Sequence, residues 1–428
     1  MKIDGVKHNL VGRVKVPGDK SISHRAIILG SIAKGLTTVE NILISEDTFR
    51  TIDAFKAMGV NIQIEEGKAL IKGVGMRGLK KPNTPIYCGN SGTTMRLLSG
   101  ILVGQNFSST LIGDASLTKR PMDRIIHPLT NMGAHIKGIK NTYPPLDIEP
   151  TDGLKGIYYE MPIASAQVKS SILLATLYSE GTTKILENKS TRDHTEKMLK
   201  LFGSNINHKG NLIVMNGKYE LHGNRIFVPG DISSAAYFIV LALLIKGSHI
   251  VVENVGINPT RTGILSVLKE MGANIRVFNR KLVNNEPVGD IEVKYSQLKG
   301  ININGDQIGR LIDEIPIIVV AAALAQGRTM IKGAEDLKYK ESNRIEAMTE
   351  ELNKMGACIE ALPDGMVIDG VKELKPAVLI SHNDHRIAMA LSIAALATNG
   401  KSYIQGYECI NISYPDFYTT LSNLLNDV

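Results

Sequence analysis

The apolar positions of the chain recur in a long unit that appears six times. Each unit begins with a polar turn, continues with an apolar helix of about a dozen residues, breaks at a small residue or glycine and runs into a strand. A second polar turn, an amphipathic helix and a further strand follow. The break glycines are spaced by 66 to 80 residues: Gly35, Gly104, Gly181, Gly247, Gly327 and Gly400.

The order of the units indicates an internal duplication. The distance from the break glycine to the glycine after the second helix is 24 residues in the first unit and 25 in the fourth. In the second and fifth units it is 29 residues. Units one to three therefore resemble units four to six in order. A chain of 428 residues is also too long for one ordinary core, so two domains of three units each are predicted.

The two helices of each unit differ in their predicted surroundings. The first is apolar nearly all round, which is typical of a buried helix, whereas the second is amphipathic. The strands alternate, as in residues 38–42, so one face of each sheet is expected to be wet. The pattern predicts an α/β architecture with buried helices, and it leaves both parallel and antiparallel strand pairing open.

Composition narrows the class of protein. The net charge is +7 with a pI near 9.0, but the basic residues are scattered, which favours small anions over nucleic acid or a membrane surface. The chain has no Trp and eight Phe, too few for base-stacking platforms. Three distant cysteines suggest neither disulfides nor a metal site. With no signal segment and no apolar run long enough for a bilayer, a cytoplasmic soluble protein is expected.

Residues 16–25 have the composition of an anion-binding helix start. A Pro-Gly turn ends a strand, and the helix after it opens with a lysine, two serines, a histidine and an arginine. A helix N-terminus presents unpaired N–H groups and a partial positive charge, and Lys20 and Arg25 would strengthen its attraction for anions. The alternative is that Asp19 and the serines only cap the helix and that both cations are solvated.

The turns before the other helices carry polar residues of similar kinds. In Asn90-Ser91-Gly92-Thr93 the glycine lets backbone N–H groups approach an oxyanion, although a simple loop with a helix cap explains the same residues. Each charged residue taken singly is explained as a surface charge. Their recurrence at equivalent places favours a shared function. The other turn residues are Ser165, Gln167, Asp313, Glu314, His385, Arg386, Arg120, Arg192, Arg261, Lys340, Glu341 and Arg344.

The segment from Lys340 to Arg344 holds an acid between two bases. It is predicted to start a helix, with Lys340 and Arg344 one turn apart on one face. Two interpretations remain: a surface salt bridge, or an anion clamp beside a carboxyl group, Glu341, that can act as an acid or a base.

The duplication supplies an internal control for the opening stretch. Residues 16–21 align with residues 228–233, and the Pro-Gly-Asp-x-Ser frame persists in both. Lys20 and Arg25, however, become Ile232 and Tyr237 in the second copy. The frame is therefore structural, and the charges of the first copy point to function.

Seven motifs in fixed order carry a resemblance to a known family over the whole chain. They are GDKSISHR, GNSGTTMR, RPMDR, SAQVKS, TRDHTE, KESNR and NDHR. The chain resembles the EPSP synthase family, and SAQVKS and TRDHTE resemble its bacterial class II branch. The resemblance implies a pair of inside-out α/β domains, each with three βαβαββ repeats. One domain would span residues 18–228 and the other residues 1–17 plus 229–428, with the substrate cleft between them.

The resemblance also implies an activity. The family transfers the enolpyruvyl group of phosphoenolpyruvate to the 5-hydroxyl of shikimate 3-phosphate and releases phosphate, through a tetrahedral intermediate formed by addition and broken down by elimination. It implies no cofactor and no metal, small-molecule substrates only, no nucleic acid or membrane partner, and a monomer.

Site residues follow from the motifs by resemblance. Asp313 would be the base for the 5-hydroxyl and Glu341 the acid toward C3 of phosphoenolpyruvate, with Lys20 as a partner. Shikimate 3-phosphate would be held by Lys20, Ser21, Arg25, Ser165, Gln167, Arg192, Asp313 and Lys340. Phosphoenolpyruvate would be held by Lys20, Asn90, Gly92, Arg120, Gln167, Glu341, Arg344, His385 and Arg386.

Some positions depart from the family pattern. Ala166 stands where many members have a second serine, Asn343 replaces a frequent aspartate, and Asn411 replaces a lysine in some members. Three rival functions fit part of the pattern. They are the sister transferase acting on UDP-N-acetylglucosamine, an RNA-end-processing protein and a non-catalytic repeat scaffold. The loop from Asp114 to Lys119 lacks the cysteine of the sister enzyme, and the other two rivals explain the charges less well.

Overall fold

Buried apolar helices alternate with amphipathic ones along the chain. In the computed structural model, which describes residues 1–426, there are thirteen α-helices. They are α1 (Lys20–Ile32), α2 (Glu46–Ala57), α3 (Gly92–Leu102), α4 (Asp123–Asn131), α5 (Ala166–Thr176), α6 (His194–Leu201), α7 (Ile232–Leu244), α8 (Gly263–Glu270), α9 (Gly305–Ile308), α10 (Ile315–Ala323), α11 (Arg344–Lys354), α12 (His385–Leu396) and α13 (Phe417–Asn426).

Residues 1–426 also form twenty-three strands. They are β1 (Lys2–Asp4), β2 (Val11–Lys15), β3 (Lys34–Glu40), β4 (Asn61–Glu65), β5 (Lys68–Val74), β6 (Ile86–Tyr87), β7 (Ser109–Ile112), β8 (His135–Ile139), β9 (Tyr143–Glu149), β10 (Tyr158–Met161), β11 (Thr182–Glu187), β12 (Ile206–Lys209), β13 (Leu212–Asn216), β14 (Arg225–Phe227), β15 (His249–Gly256), β16 (Asn274–Val283), β17 (Glu286–Lys294), β18 (Asn302–Ile303), β19 (Arg328–Ile331), β20 (Cys358–Leu362), β21 (Gly365–Asp369), β22 (Val378–Ile380) and β23 (Lys401–Gln405).

The sheets repeat one pattern. Within the described chain, five sheets have four strands and one has three. In the sheet β6-β7-β9-β8, the pair β6–β7 is parallel, and β9 pairs antiparallel with both β7 and β8. The sheets β10-β11-β13-β12 and β18-β19-β21-β20 follow the same rule. Both pairing modes that the sequence left open therefore occur, because a helix crosses between the parallel strands and a tight turn joins the antiparallel ones.

Contacts between Cα atoms divide the chain into two units. Unit A comprises Gly18–Val228 and Val283–Glu286, and unit B comprises Met1–Pro17, Pro229–Leu282 and residues 287–426. The sequence expectation put residues 283–286 with the second domain. They fall in unit A because they form the tip of the β16–β17 hairpin, where Asn284 accepts a hydrogen bond from Phe227 N at 2.8 Å.

Each unit closes its repeats with a strand from outside them. In unit A, β14 follows the third repeat and pairs in parallel with β3 of the first. In unit B, β2 pairs in parallel with β15, and β1 pairs antiparallel with β23. These closing strands cover edges that would otherwise leave backbone groups unpaired.

The first helix of each repeat lies in the core, as the apolar pattern predicted. Residues 232–243 of α7 and all nine residues of α10 are buried. Helices α1, α3 and α5 occupy the same place in unit A, and α7, α10 and α12 in unit B. The second helices are half-exposed, and several end at a Met-Gly pair in which the glycine, for example Gly59 (φ +88°), adopts a left-handed conformation. Among residues 1–426, no helix has the length and apolarity needed to cross a membrane.

Candidate active site

The Pro-Gly-Asp turn caps a buried helix in both units. The Asp19 carboxylate accepts a hydrogen bond from Ile22 N at 2.9 Å, and Asp231 accepts one from Ser233 N at 2.8 Å. The prediction of a shared structural frame is therefore confirmed. Only the unit A copy adds a cation at the first helical position, where Lys20 Nζ lies 2.9 Å from Asp47 Oδ2.

Arg25 is a buried cation in unit A. Its Nε donates to Thr195 Oγ1 at 2.6 Å, Nη2 to Ser170 Oγ at 2.8 Å and Nη1 to the carbonyl of Ser21 at 2.8 Å. These acceptors are uncharged. Burial lowers the pKa of Arg25 to about 10, although Glu196 opposes this shift, so the guanidinium is charged at neutral pH. A buried charge held by neutral oxygens is suited to receiving an anion.

Three elements meet around Gly92 at the start of α3. Arg96 Nη1 donates to Gln167 Oε1 at 2.8 Å, and Gln167 Nε2 donates to Thr93 Oγ1 at 3.0 Å. A Cβ at Gly92 would lie 2.6 Å from Arg96 Nη1 and 3.6 Å from Arg120 Nη1. The glycine therefore leaves the space into which both guanidinium groups extend.

Arg120 is held by Asn90, in the loop before α3, and by Ser116, in the loop after β7. Its Nη2 donates to Asn90 Oδ1 at 2.5 Å and to Ser116 Oγ at 3.1 Å, while its Nη1 donates to the Asn90 carbonyl at 3.3 Å. Asn90 Nδ2 in turn donates to Asp114 Oδ2 at 2.9 Å. The arrangement orients a nearly buried cation beside the glycine-containing turn.

The remaining predicted residues of unit A lie at the starts of α1, α5 and α6. Ser165 caps α5, with its Oγ accepting from Val168 N at 3.4 Å. Arg192 lies in the turn before α6, and its charge contributes to lowering the pKa of Arg25. Unit A thus gathers these candidates near helix N-termini: Lys20, Ser21, Arg25, Asn90, Gly92, Arg120, Ser165, Gln167 and Arg192.

Unit B places one carboxylate among three arginines. The Asp313 carboxylate lies 3.8 Å from Arg261 Nη1, 3.7 Å from Arg344 Nη1 and 3.7 Å from Arg386 Nη2. Arg386 Nη1 also donates to the Asp313 carbonyl at 3.2 Å. The three guanidinium groups are nearly buried, whereas the Asp313 side chain keeps 14 % of its exposure. The three arginines therefore concentrate positive charge around an acid that solvent can reach.

Neighbouring carboxylates raise the pKa of two of these arginines. Burial alone would lower the pKa of Arg344, but Asp384 and Glu341 outweigh it and raise that pKa above its usual range. For Arg386, burial is likewise outweighed, here chiefly by Asp313, and its pKa is raised. Both are permanent cations, as binding a carboxylate or phosphate requires.

The expected helical face from Lys340 to Arg344 is wrong. Helix α11 begins at Arg344, because Asn343 caps it by accepting from Glu346 N at 3.5 Å. Lys340 lies outside the helix in an extended conformation. Glu341 nevertheless pairs with Arg344, with Oε2 2.6 Å from Nη2. His385 and Arg386 begin α12 under the cap of Asp384.

Several residues that shape these clusters are not among the predicted site residues. Arg96, Asp47 and Asp384 each pair with or crowd a predicted site residue. Arg96 and Asp384 stand inside the quoted motifs GNSGTTMR and NDHR. The spacing of four residues from Gly92 to Arg96 on one helix was the available signal.

Within residues 1–426, two groups of side chains have donor atoms close enough to hold a metal ion. They are Asp193, His194 and Glu286, and Glu350, Glu351 and His382. Carboxylates of each group already pair with a lysine: Asp193 with Lys197, and Glu350 and Glu351 with Lys354. Neither includes a residue of the predicted site, so no step of the chemistry is assigned to them.

The fold has solved counterparts. The enolpyruvyl transferase NikO from Streptomyces tendae has a similar structure, with a TM-score of 0.81 over 99% of this chain and 96% of that chain. At 17% identity this similarity concerns the fold alone.

The particular family follows from closer matches. The family model for EPSP synthase (3-phosphoshikimate 1-carboxyvinyltransferase) matches residues 6–421, and the chain belongs to this family. A 3-phosphoshikimate 1-carboxyvinyltransferase of Thermoanaerobacter sp. (strain X514) is 52% identical over 98% of both chains. One from Streptococcus agalactiae serotype III (strain NEM316) is 49% identical over 100% of both. The structure of EPSP synthase from Acinetobacter baumannii has a TM-score of 0.88 at 46% identity, covering 99% of this chain and 98% of that one.

Proposed function

We propose that the chain transfers the enolpyruvyl group of phosphoenolpyruvate to the 5-hydroxyl of shikimate 3-phosphate and releases phosphate. The family and its relatives at about 50% identity support this activity. The observation that carries it is the Asp313 carboxylate within 3.8 Å of three nearly buried guanidinium groups. Both substrates are phosphorylated carboxylates, which need fixed cations, and the addition needs a base among them.

In this proposal phosphoenolpyruvate is held by fixed cations. Arg344 and Arg386 are buried and permanently charged in unit B, and Arg120 and Lys20 are the corresponding cations of unit A. Gly92 leaves room for an oxyanion beside Arg120. The set is completed by Asn90, Gln167, Glu341 and His385.

Shikimate 3-phosphate is assigned a different set. Arg25 is its central cation, since its hydrogen bonds to Ser170, Thr195 and the Ser21 carbonyl hold the guanidinium rigidly without neutralising it. Such a group gains a charge-assisted bond when a phosphate arrives. The other members are Lys20, Ser21, Ser165, Gln167, Arg192, Asp313 and Lys340.

The chemistry is an addition followed by an elimination. In the addition, Asp313 takes the proton of the 5-hydroxyl while the hydroxyl oxygen bonds to C2 of phosphoenolpyruvate. Glu341, with Lys20 as its partner, gives a proton to C3. In the elimination, C3 returns a proton to Glu341, the C2–O bond to phosphate breaks, and the proton held by Asp313 leaves with the phosphate, so both carboxyl groups regain their starting states. The arginines stabilise the phosphate and carboxylate charges as they shift.

The proposal also includes the location, oligomeric state and binding partners of the protein. The chain acts as a cytoplasmic monomer that binds small molecules and neither nucleic acid nor membrane. The scattered basic residues and the three distant cysteines support this part.

Phosphate release tests the proposal. We expect release from phosphoenolpyruvate only when shikimate 3-phosphate is present, and little when unphosphorylated shikimate replaces it. Asp313→Asn should keep both substrate affinities within about threefold and lower kcat by at least about 100-fold, the scale of a lost general base. Release independent of shikimate 3-phosphate would sink the proposal, and a variant that loses only affinity would remove Asp313 as the base.

A further inference from the structure

Four buried polar side chains form a continuous chain of hydrogen bonds in unit A. His24 Nδ1 lies 2.7 Å from Thr51 Oγ1, and Thr51 Oγ1 lies 2.7 Å from Thr94 Oγ1. Thr94 Oγ1 in turn donates to Ser91 Oγ at 2.8 Å. All four residues are at most 1 % exposed. The chain therefore runs through the core from α1 through α2 to the start of α3.

The direction of the chain follows from counting protons. Thr94 has one hydroxyl proton, and it is donated to Ser91, so Thr94 can only accept from Thr51. Thr51 then has no proton left, so His24 Nδ1 must be the donor to Thr51. Burial, with the charges of Lys20 and Arg25, holds the pKa of His24 well below its usual value. The neutral ring then carries its proton on Nδ1.

The chain lies beneath three turns that carry site residues. His24 is one helical turn after Lys20 on α1, and Thr51 is one turn after Asp47, the partner of Lys20, on α2. Ser91 caps α3 and directly precedes Gly92. Side-chain bonds that fix these helix starts therefore set the distance between the cation of α1 and the glycine-containing turn of α3.

We propose that Thr51 is a positioning residue for the phosphoenolpyruvate site, joining the helix that carries Lys20 to the helix start that carries Gly92. The inference rests on the proposed function. Thr51 acts through His24 on one side and through Thr94 and Ser91 on the other. It is the one member of this four-residue chain that belongs to α2, so its removal breaks the link without touching either site helix.

The test uses isosteric variants of the full-length protein. Thr51→Val keeps the shape and removes the hydroxyl, whereas Thr51→Ser keeps the hydroxyl. The matched control is Thr176→Val, which removes an equally buried hydroxyl that bonds to Thr183 Oγ1 at 2.8 Å at the far end of α5. For each variant we would measure the thermal midpoint, kcat and the KM values for both substrates.

The expected result is specific to one substrate. Thr51→Val should raise the KM for phosphoenolpyruvate about tenfold, with the KM for shikimate 3-phosphate changed less than about threefold. Thr51→Ser should return the first value to within about threefold of wild type. Thr176→Val should lower the thermal midpoint comparably to Thr51→Val and leave both KM values unchanged. The His24 Nδ1 proton, followed by NMR without substrates, should exchange faster in Thr51→Val only.

Two outcomes would overturn the inference while leaving the proposed function intact. One is an active Thr51→Val enzyme whose KM for phosphoenolpyruvate stays within twofold of wild type. The other is a Thr51→Ser enzyme that behaves as Thr51→Val does. A wild-type protein without phosphate release dependent on shikimate 3-phosphate would instead overturn the proposed function, and the positioning role with it.

Discussion

Arg344 Nε donates to Asp384 Oδ2 at 2.7 Å, and both side chains are almost wholly buried in unit B. The same carboxylate accepts from the backbone N–H of Arg386 at 2.9 Å and so caps α12. Burial would raise the pKa of Asp384, but Arg344 outweighs it and lowers that pKa. One buried acid thus holds two of the three arginines around Asp313.

Replacement of this acid should weaken both stability and phosphoenolpyruvate binding. Asp384→Asn keeps a good helix cap but leaves Arg344 with less negative charge, and removal of one partner of a buried ion pair costs about 3–5 kcal/mol. We expect a loss of about 3 kcal/mol, since Glu341 still contacts Arg344, and a tenfold or greater rise in the KM for phosphoenolpyruvate. Denaturant unfolding and steady-state kinetics measure the two effects.

The exposed pair of Asp369 and Arg328 provides the control. It has the same chemistry, with Nε–Oδ1 at 2.8 Å, but its two side chains are 43 % and 62 % exposed. Because solvent screens exposed ion pairs, Asp369→Asn should change stability little and kinetics not at all. Equal losses in the two variants would contradict the role given to Asp384.

Lys169 should be required for the stability of unit A. This fully buried lysine lies 3.0 Å from Glu187 Oε2 and 2.6 Å from Glu196 Oε1. Lys169→Met would leave two buried carboxylates without their cation, and we expect a loss of about 3–5 kcal/mol in the free energy of unfolding. The comparison is Lys34→Met, which breaks an exposed pair with Glu220 and should change the free energy of unfolding little. A Lys169→Met protein as stable as the Lys34→Met protein would refute this account.

The sequence allowed prediction of the features that depend on local pattern. The six apolar helices are buried because their residues have no polar face, and the caps at Asp19 and Asp231 follow from a turn that the chain uses twice. Periodicity could not show whether neighbouring strands pair in parallel or antiparallel, since side chains alternate in the same way in both cases. In the folded chain the connection determines the pairing, and a crossover helix joins parallel strands such as β6 and β7.

The partners of the charged residues could not be predicted in the same way. Lys20 and Asp47 are 27 residues apart, and Arg344 and Asp384 are 40 apart, so only packing of different helices brings them together. The start of α11 was misplaced because the cap at Asn343 competes with a helix beginning near Lys340. The local sequence permits both starts, and the tertiary structure selects one.

Two glycines of α3 should respond differently to alanine. A Cβ at Gly92 meets the flexible end of Arg96 at 2.6 Å, so Arg96 must move and its bond to Gln167 is lost. Gly92→Ala should therefore raise the KM for phosphoenolpyruvate about tenfold with a small change in stability. A Cβ at Gly100 meets the backbone oxygen of Ser171 at 2.3 Å, which cannot move freely.

Gly100→Ala should thus cost about 3 kcal/mol of stability through overpacking. Where enough folded protein remains, its KM values should be close to those of wild type. Thermal unfolding and kinetics on the two variants distinguish the two effects. A Gly92→Ala enzyme with unchanged affinity for phosphoenolpyruvate would show that the position of Arg96 does not affect binding of this substrate.

Glu314 should make unit B less stable as the pH rises. Burial, supported by Asp313 and opposed by Arg261, raises the pKa of Glu314 above the ordinary value of 4.5. Its Oε1 accepts from Ser233, while Oε2 has no hydrogen-bond partner within residues 1–426. Because the folded state binds the proton more tightly, the wild type loses stability as the pH rises from about 4.5 toward the raised pKa.

Glu314→Gln removes this titration and imitates the protonated acid. The thermal midpoint of the variant relative to wild type should therefore increase from pH 5 to pH 8. Glu350→Gln is the control, because the pKa of Glu350 is shifted in the opposite direction. Lys354 lowers the pKa of this exposed side chain, so the folded protein favours its ionised form. That variant should gain nothing as the pH rises. A Glu314→Gln protein whose midpoint relative to wild type is the same at both pH values would show that Glu314 keeps an ordinary pKa in the folded chain.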